Sequence, residues 1–123
     1  MMSRMAQDAS TETSEQRKAS TQADLRALAG KTLTVAASVI RIITVIFAAI
    51  LVIHVVLFVA GANPGNGITV FFQSAADNLT LGIGDLFLPQ NESLKVILNY
   101  GLAAVVWIVI GVVVSKILNA LAP

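Results

Sequence analysis

The sequence predicts an all-α membrane protein in which two transmembrane helices form a hairpin, joined by an outer amphipathic or re-entrant helix. The first observation is composition: 56% of the 123 residues are hydrophobic and 12% are charged, whereas a soluble domain carries about 25% charged residues. The second is that nine of the fifteen charged residues lie in residues 1–31. The third is that two long apolar runs follow, separated by a segment that begins with turn residues. These features are typical of a membrane protein with a polar arm.

Residues 1–31 form this polar arm, which we expect to be cytoplasmic and partly helical. Five positive charges nearly balance four negative charges, and little of the stretch can be buried, so we expect disorder as far as Ser14. Helix-forming residues dominate from Ser14 to Ala29, and Gly30 is a natural end or joint for such a helix. The arm is either a solvated tether or a helix that binds a protein or lipid surface.

Residues 33–62 are predicted to form the first transmembrane helix. The 19 residues from Ile42 to Ala60 contain one ionisable side chain, His54, and at 1.5 Å per residue they cover roughly the 30 Å of a hydrocarbon core. His54 is a candidate proton-responsive group, because histidine titrates near neutral pH. The alternative is a neutral imidazole that hydrogen-bonds to another helix or to interfacial water.

Residues 94–118 are predicted to form the second transmembrane helix, which contains 20 uncharged residues between two lysines. Asn99 and Tyr100 are expected at interface depth, and Trp107 is expected in helix packing. Small residues that permit close approach of another helix recur along this span, at Gly101, Ala104, Gly111 and Ser115. They favour self-association or binding to a larger membrane protein.

The distribution of lysine and arginine predicts the orientation of both spans. Neither residue occurs between Ile42 and Leu94, whereas both flanks carry them. The positive-inside rule therefore places the N- and C-termini in the cytoplasm and residues 63–93 outside.

The outer segment, residues 63–93, has two interpretations, of which the first is an amphipathic helix on the outer surface. Over about residues 68–87, apolar residues recur at spacings of three and four and form one stripe on a helix; they are Ile68, Phe71, Phe72, Ala75, Ala76, Leu79, Ile83, Leu86 and Phe87. The stripe keeps its phase through Gly82 and Gly84, which favours the interfacial helix. Each glycine costs about 1 kcal/mol in a helix, so we expect a break near them.

The second interpretation is a re-entrant pore loop. Six consecutive residues resemble the Thr-Val-Gly-Tyr-Gly-Asp filter of potassium channels, namely Thr80, Leu81, Gly82, Ile83, Gly84 and Asp85. A filter needs successive carbonyl groups that replace the hydration shell of the ion, and alternating glycines permit that backbone. The resemblance implies a homotetramer that conducts K⁺, with Asp85 at its outer mouth. This sequence departs from the motif at Ile83, where the family has an aromatic residue, and at Leu81, which is not β-branched.

A second resemblance covers about the last 85 residues. The pattern runs from Asn63-Pro64-x-Asn66 through Asp85-Leu86-Phe87-x-Pro89 to Leu98-Asn99-Tyr100-Gly101-Leu102-Ala103-Ala104. It is similar to that of a group of small two-span membrane proteins from actinobacteria, a group with no assigned activity. The resemblance implies a bacterial cytoplasmic (inner) membrane protein. A structural or accessory role is expected from the spans themselves, because two spans bury few polar groups and leave much small-residue surface. The glycine pair is not a fixed feature of that group, so the resemblance favours the interfacial helix.

Several functional classes lack support in the sequence. The chain has no cysteine, which excludes disulfides, thiolate metal sites and cysteine nucleophiles. Its single histidine lies in a span, and the three outer carboxylates are eight and seven residues apart, so we expect neither an enzyme nor a metal or cofactor site. No basic patch with interleaved aromatic residues indicates nucleic-acid binding. The lipid bilayer is the expected partner, and K⁺ is a ligand only in the pore interpretation.

Overall fold

The fold consists of three helices, and two of them are long and apolar enough, by length and composition, to cross a membrane. The computed structural model describes residues 2–123, and this part of the chain contains no strand. Helix α1 spans Met2–Val59, α2 spans Gly67–Asn78 and α3 spans Glu92–Leu121. The all-helical class predicted from the sequence is confirmed.

Helices α1 and α3 pack against each other in opposite directions. Gly30 lies beside Pro123 at one end, and near the other end the rings of His54 and Tyr100 have their centroids 4.6 Å apart. The buried residues of the two helices between these points are mostly small: Ala37, Thr44, Ala48 and Leu51 on α1, and Ala103, Ala104, Gly111 and Ser115 on α3.

Gly111 marks a close approach of α1 and α3. A Cβ atom on Gly111 would lie 2.9 Å from the Cβ of Thr44, well inside the separation of about 3.5–4.0 Å that carbon atoms prefer. Thr44 is itself fixed, because its hydroxyl bonds to carbonyl oxygens one turn earlier in α1, at 2.9 and 3.1 Å. A Cβ on Gly101 would meet nothing within 4 Å. Within one chain, therefore, Gly111 is required for packing and Gly101 is not.

Helix α1 runs without a break from the polar arm into the first apolar run. The expected disorder before Ser14 and the expected end or joint at Gly30 are both wrong, because α1 begins at Met2 and Gly30 is helical. A single glycine costs a helix only about 1 kcal/mol, and helix-forming sequence continues on both sides of it. Glycine at position 30 is instead explained by packing, since a Cβ atom there would lie 3.3 Å from the carbonyl oxygen of Pro123.

The arm extends beyond the rest of the molecule as the first part of α1. Because α3 ends beside Gly30, the 28 residues from Met2 to Ala29 lie past its end and extend about 42 Å at 1.5 Å per residue. Every residue from Ser10 to Ala29 is exposed.

Short backbone motifs lead the chain from α1 into α2 and from the outer segment into α3. Gly61 has φ +73°, and its amide and the next one donate to carbonyl groups in the last turn of α1, at 3.1 and 2.9 Å. This pair of bonds is a Schellman motif. Asn66 then caps α2 and Asn91 caps α3, in each case by accepting a backbone amide hydrogen bond.

Helix α2 is shorter than the sequence predicts. The amphipathic stripe predicts a helix over about residues 68–87, but α2 ends at Asn78. The reason is local: Leu81 and Gly82 have φ values of +56° and +80°, in the left-handed region that a right-handed helix cannot include. The break that the glycine pair predicts is present, and it begins before either glycine.

Candidate functional site

The candidate site is the re-entrant segment, residues 67–87, which consists of α2 and the turns that follow it. We call it re-entrant because it runs back along the two long helices before the chain returns to the start of α3. Ala76 of α2 is fully buried. It packs in a core with four residues of the long helices, Ala48, Leu51, Ala103 and Ala104. Helix α2 therefore lies alongside α1 and α3 and not across their ends.

Trp107 shows how far the re-entrant segment reaches. Its indole Nε1–H donates to the carbonyl oxygen of Leu79, the residue after α2, at 2.8 Å. Its ring packs edge-on against Phe47 of α1, with centroids 4.9 Å apart. Trp107 lies twelve residues beyond Lys95, which is about 18 Å along the axis of α3. The segment therefore reaches into the second apolar run, to within reach of the Trp107 side chain, before it turns back.

Two consecutive turns reverse the chain at this deep end. The amide of Ile83 donates to the carbonyl of Thr80 (3.0 Å), and the amide of Leu86 donates to the carbonyl of Ile83 (3.2 Å). Because both central residues of the first turn, Leu81 and Gly82, have positive φ, it is of type I′. Leucine adopts this conformation at a cost of roughly 1–2 kcal/mol. The turn is therefore stabilised by its surroundings and not by the preference of Leu81.

Asn99 attaches the returning chain to α3. Its side-chain oxygen accepts a hydrogen bond from the amide of Phe87, and its side-chain nitrogen donates to the carbonyl of Phe87, both at 2.8 Å. Asn99 is fully buried, so water cannot replace either bond. Because a buried amide without partners costs several kcal/mol, this two-bond clamp is a strong constraint on residues 80–87.

A polar cluster joins the three helices near the C-terminal end of α1 and the N-terminal end of α3. The hydroxyl of Tyr100 on α3 donates a hydrogen bond to Oδ1 of Asp77 on α2. The same Tyr100 ring meets the imidazole of His54 on α1 in a T-shaped contact. His54 is 5% exposed, and within residues 2–123 it makes no hydrogen bond. Its contact with another helix is thus aromatic, and the hydrogen bond to a neighbouring helix that we considered for it is not formed.

A cavity of about 200 Å³ lies beside this cluster, between the end of α1 and the start of α2. Its lining combines polar side chains with apolar ones and contains no carboxylate, lysine or arginine: His54, Thr69, Gln73, Phe58, Ala62 and Pro64. In residues 2–123, no group of three or more His, Cys, Asp or Glu side chains is placed to hold a metal ion. The cavity is therefore suited to neutral, hydrogen-bonding contents.

The six filter-like residues, Thr80–Asp85, lie in the two turns and not in an extended run. The carbonyl oxygens of Thr80 and Ile83 already accept amide hydrogen bonds, so in this conformation they are not free to coordinate an ion. Gly82 has positive φ and Gly84 does not. The segment thus differs from both sequence interpretations, since it is neither a continuous helix nor an open filter.

The side chains that hold the re-entrant segment were not identified as such from the sequence. Asn99 and Tyr100 are expected at interface depth and Trp107 in helix packing, yet each donates a hydrogen bond to α2 or to the chain after it. The sequence feature that could have identified them is their place within an apolar run, because polar groups there need hydrogen-bond partners. The comparisons with known proteins add no further signal, since no family model, curated protein or solved structure matches the chain.

Proposed function

We propose that the chain is a small, non-enzymatic integral membrane protein of the bacterial cytoplasmic membrane, with a structural or accessory role. Its helices α1 and α3 form a transmembrane hairpin, and both termini face the cytoplasm. The main support is the exposed apolar surface of the two long helices, because only 22% of the most apolar stretch of each helix is buried. The apolar surface that remains is larger than soluble monomers expose. The lysine and arginine distribution supports the orientation, and the resemblance to actinobacterial two-span proteins supports the location.

In this setting the re-entrant segment lies within the bilayer and not on it. Ala76 packs with Ala103 and Ala104, which lie about 12–14 Å along α3 from Lys95, within a hydrocarbon core roughly 30 Å thick. Non-helical backbone cannot face lipid, because lipid tails offer no hydrogen bonds to its N–H and C=O groups. Residues 80–88 nevertheless present an exposed surface, in which Leu81 is 47% exposed, Leu86 56% and Leu88 71%. We call this surface the loop face.

The loop face is the observation that carries the proposal of an assembly. No part of the chain between residues 2 and 123 covers it: the arm extends from the opposite end of α1, and α3 ends beside Gly30. We assign the cover to further copies of this chain, because symmetric association places the same surface of every copy against a neighbour. The alternative is that a larger membrane protein binds the loop face.

Disulfide crosslinking in native membranes tests this assembly, and the chain has no cysteine to interfere. Leu88→Cys places a thiol on the loop face, and Val52→Cys, at a position 50% exposed on α1, is the matched control. We expect oxidant-dependent homodimers from Leu88→Cys and none from Val52→Cys. Equal crosslinking at the two positions, or a Leu88→Cys adduct with a different protein, argues against self-assembly through the loop face.

A potassium-selective pore is the second candidate function, and the course of the re-entrant segment favours it. A helix that enters from the outer side, stops within the span and returns as non-helical chain is the topology that the filter resemblance implies. Four copies around one axis are required, with Thr80–Gly84 as the filter and Asp85 at the mouth. The turn hydrogen bonds at Thr80 and Ile83 have to open in the tetramer before their carbonyls can meet K⁺.

Potassium flux into liposomes that contain the purified tetramer distinguishes the two candidates. If the pore exists, flux is selective for K⁺ over Na⁺ and is lost in Gly82→Ala, which cannot adopt the filter backbone without strain. Gly67→Ala is the matched control, because its added methyl group meets nothing within 4 Å and the residue lies in helix α2. Verified tetramers without selective flux would leave only the structural or accessory role.

A further inference from the structure

His54, the single histidine of the chain, makes no hydrogen bond to any residue between 2 and 123. It is 5% exposed, yet it lines the cavity between α1 and α2. A neutral imidazole has one donor and one acceptor nitrogen, and neither nitrogen of His54 is a buried atom without a partner, so both keep accessible surface. The partners of His54 therefore have to come from the contents of the cavity.

The cavity is suited to water. Thr69 adds a hydroxyl and Gln73 adds an amide to the imidazole of His54, so three side chains with hydrogen-bonding atoms line one space. A buried water needs two to four polar partners and takes about 30 Å³ of liquid volume. A cavity of about 200 Å³ holds several such molecules. It lies next to the exposed turn that follows α1, at the end that the proposed topology places outside.

The titratable groups that face His54 come from two other elements. From α2, Asp77 is the carboxylate close enough to act on His54 electrostatically. From α3, Tyr100 contacts the imidazole and hydrogen-bonds to Asp77. Helix α1 contributes no second titratable group to the cavity, and Glu92 and Lys95 line a separate one that Tyr100 also borders.

We propose that this cavity is a hydrated proton-binding site entered from the outer side, and that protonation of His54 loosens the packing of α2 against α1 and α3. A hydronium ion transfers its proton to an imidazole nitrogen at the cavity, and a water molecule remains. The imidazolium is attracted to Asp77, but burial of its charge costs more than this attraction returns. Neutral His54 carries no such cost, so α2 is held more firmly at alkaline than at acidic pH. Entry from the outer side rests on the proposed topology, whereas the proton linkage does not.

NMR spectroscopy of the isotope-labelled full chain in lipid nanodiscs tests the proposal, with a purification tag that contains no histidine. The chain has one histidine and one tryptophan, so each gives a single side-chain signal. The His54 imidazole reports protonation, and the Trp107 indole N–H reports the packing of α2, because it donates to the carbonyl of Leu79. The pH is varied over the range in which the chain stays folded, and we expect both signals to titrate with a common midpoint.

Two variants separate proton linkage from a general effect of pH. His54→Asn keeps a polar side chain at the cavity and should abolish the titration of the Trp107 signal. Tyr100→Phe keeps the ring but removes the bond to Asp77, so it should leave His54 titrating and weaken the response of Trp107. An imidazole that stays in one protonation state over this range overturns the proposal, and so does a Trp107 titration that survives His54→Asn. These outcomes do not depend on the Leu88→Cys crosslink, so failure of the assembly and failure of the proton linkage are distinguishable.

Discussion

The two ends of the molecule use their polar residues in opposite ways. Around α2, Asn99, Tyr100 and Trp107 of α3 each hydrogen-bond to α2 or to the chain that follows it. In the arm, every residue from Ser10 to Ala29 is exposed, and two threonine hydroxyls bond to carbonyl groups of their own helix. The region around α2 is thus held by tertiary contacts, whereas the arm is a helix that extends past them.

The difference has an energetic cause. A polar group that is shielded from water has no alternative partner, so the bond that it makes determines where the chain lies. A polar group in the arm exchanges one partner for water at little net cost. Substitutions around α2 should therefore change the free energy of unfolding, and changes in the arm should not.

Replacing the Asn99 clamp should have the largest effect. We expect Asn99→Leu to lower the free energy of unfolding by about 2–4 kcal/mol, because the amide and carbonyl of Phe87 lose their partners. The measurement is denaturant unfolding in mixed micelles. Asn119→Leu is the matched control on the exposed surface of α3, with an expected change within about 0.5 kcal/mol. Equal effects at the two asparagines would show that the clamp does not hold residues 80–87.

Adding one methyl group to α3 should have opposite effects at two glycines. Gly111→Ala places a Cβ against the fixed Thr44 side chain, and we expect a loss of about 1–3 kcal/mol in the free energy of unfolding. Gly101→Ala meets open space and should be neutral or stabilising by up to about 1 kcal/mol, since alanine favours helix. The same unfolding assay measures both, and Thr44→Gly should partly rescue Gly111→Ala. If Gly101→Ala is the more damaging change, Gly101 packs against another copy in the assembly.

The turn at the deep end should respond to backbone preference. Gly82 has φ +80°, so we expect Gly82→Ala to destabilise the protein by about 1 kcal/mol. Leu81 has φ +56°, and Leu81→Gly should stabilise the turn by a similar amount, about 1 kcal/mol, because it removes that strain. The test is whether each substitution raises or lowers the free energy of unfolding, and this is measured from the midpoint of the unfolding transition. Destabilisation by both changes would mean that the Leu81 side chain contributes more in its packing than its backbone costs.

Removing the arm should have the smallest effect. Deletion of residues 2–29 removes no helix contact described above, so we expect the free energy of unfolding to change by less than about 0.5 kcal/mol. The deletion is compared with the full chain in the same micelles, and crosslinking of Leu88→Cys should also be unchanged. A large loss of stability would instead show that the arm packs against a partner.

The sequence predicts the helices better than it predicts where one of them lies. Apolar run length is enough to identify α1 and α3, because about 20 apolar residues match a bilayer. The stripe through Ala76 and Leu79 predicts α2, but periodicity reports that a face is apolar without reporting what covers it. Lipid headgroups and two packed helices give the same pattern, so an interfacial helix and a re-entrant helix cannot be distinguished in this way. The later residues of the stripe, such as Leu86, continue its spacing of three and four residues. They lie beyond the end of α2 and are exposed in the structure.

The contacts of the candidate site could not be predicted from the sequence either, because they join residues that are far apart along the chain. His54, Asp77 and Tyr100 lie 23 residues apart from one to the next along the chain, so no local spacing indicates that they meet. The positive φ of Leu81 could not be predicted either, because leucine disfavours the left-handed region. What could be predicted is a break near the glycine pair, since two glycines so close together weaken a helix.

The turn after α2 lies against the long helices, next to the side chain of Trp107. This position can be tested directly by quenching the fluorescence of the single tryptophan, since the chain has no cysteine and accepts one nitroxide label at a chosen position. A label at Leu81→Cys should quench Trp107 strongly in lipid nanodiscs, and a label at Ile68→Cys, near the start of α2, should quench it weakly. Weak quenching from both positions would place the turn at the outer surface, about 18 Å from Trp107, and would contradict the re-entrant structure.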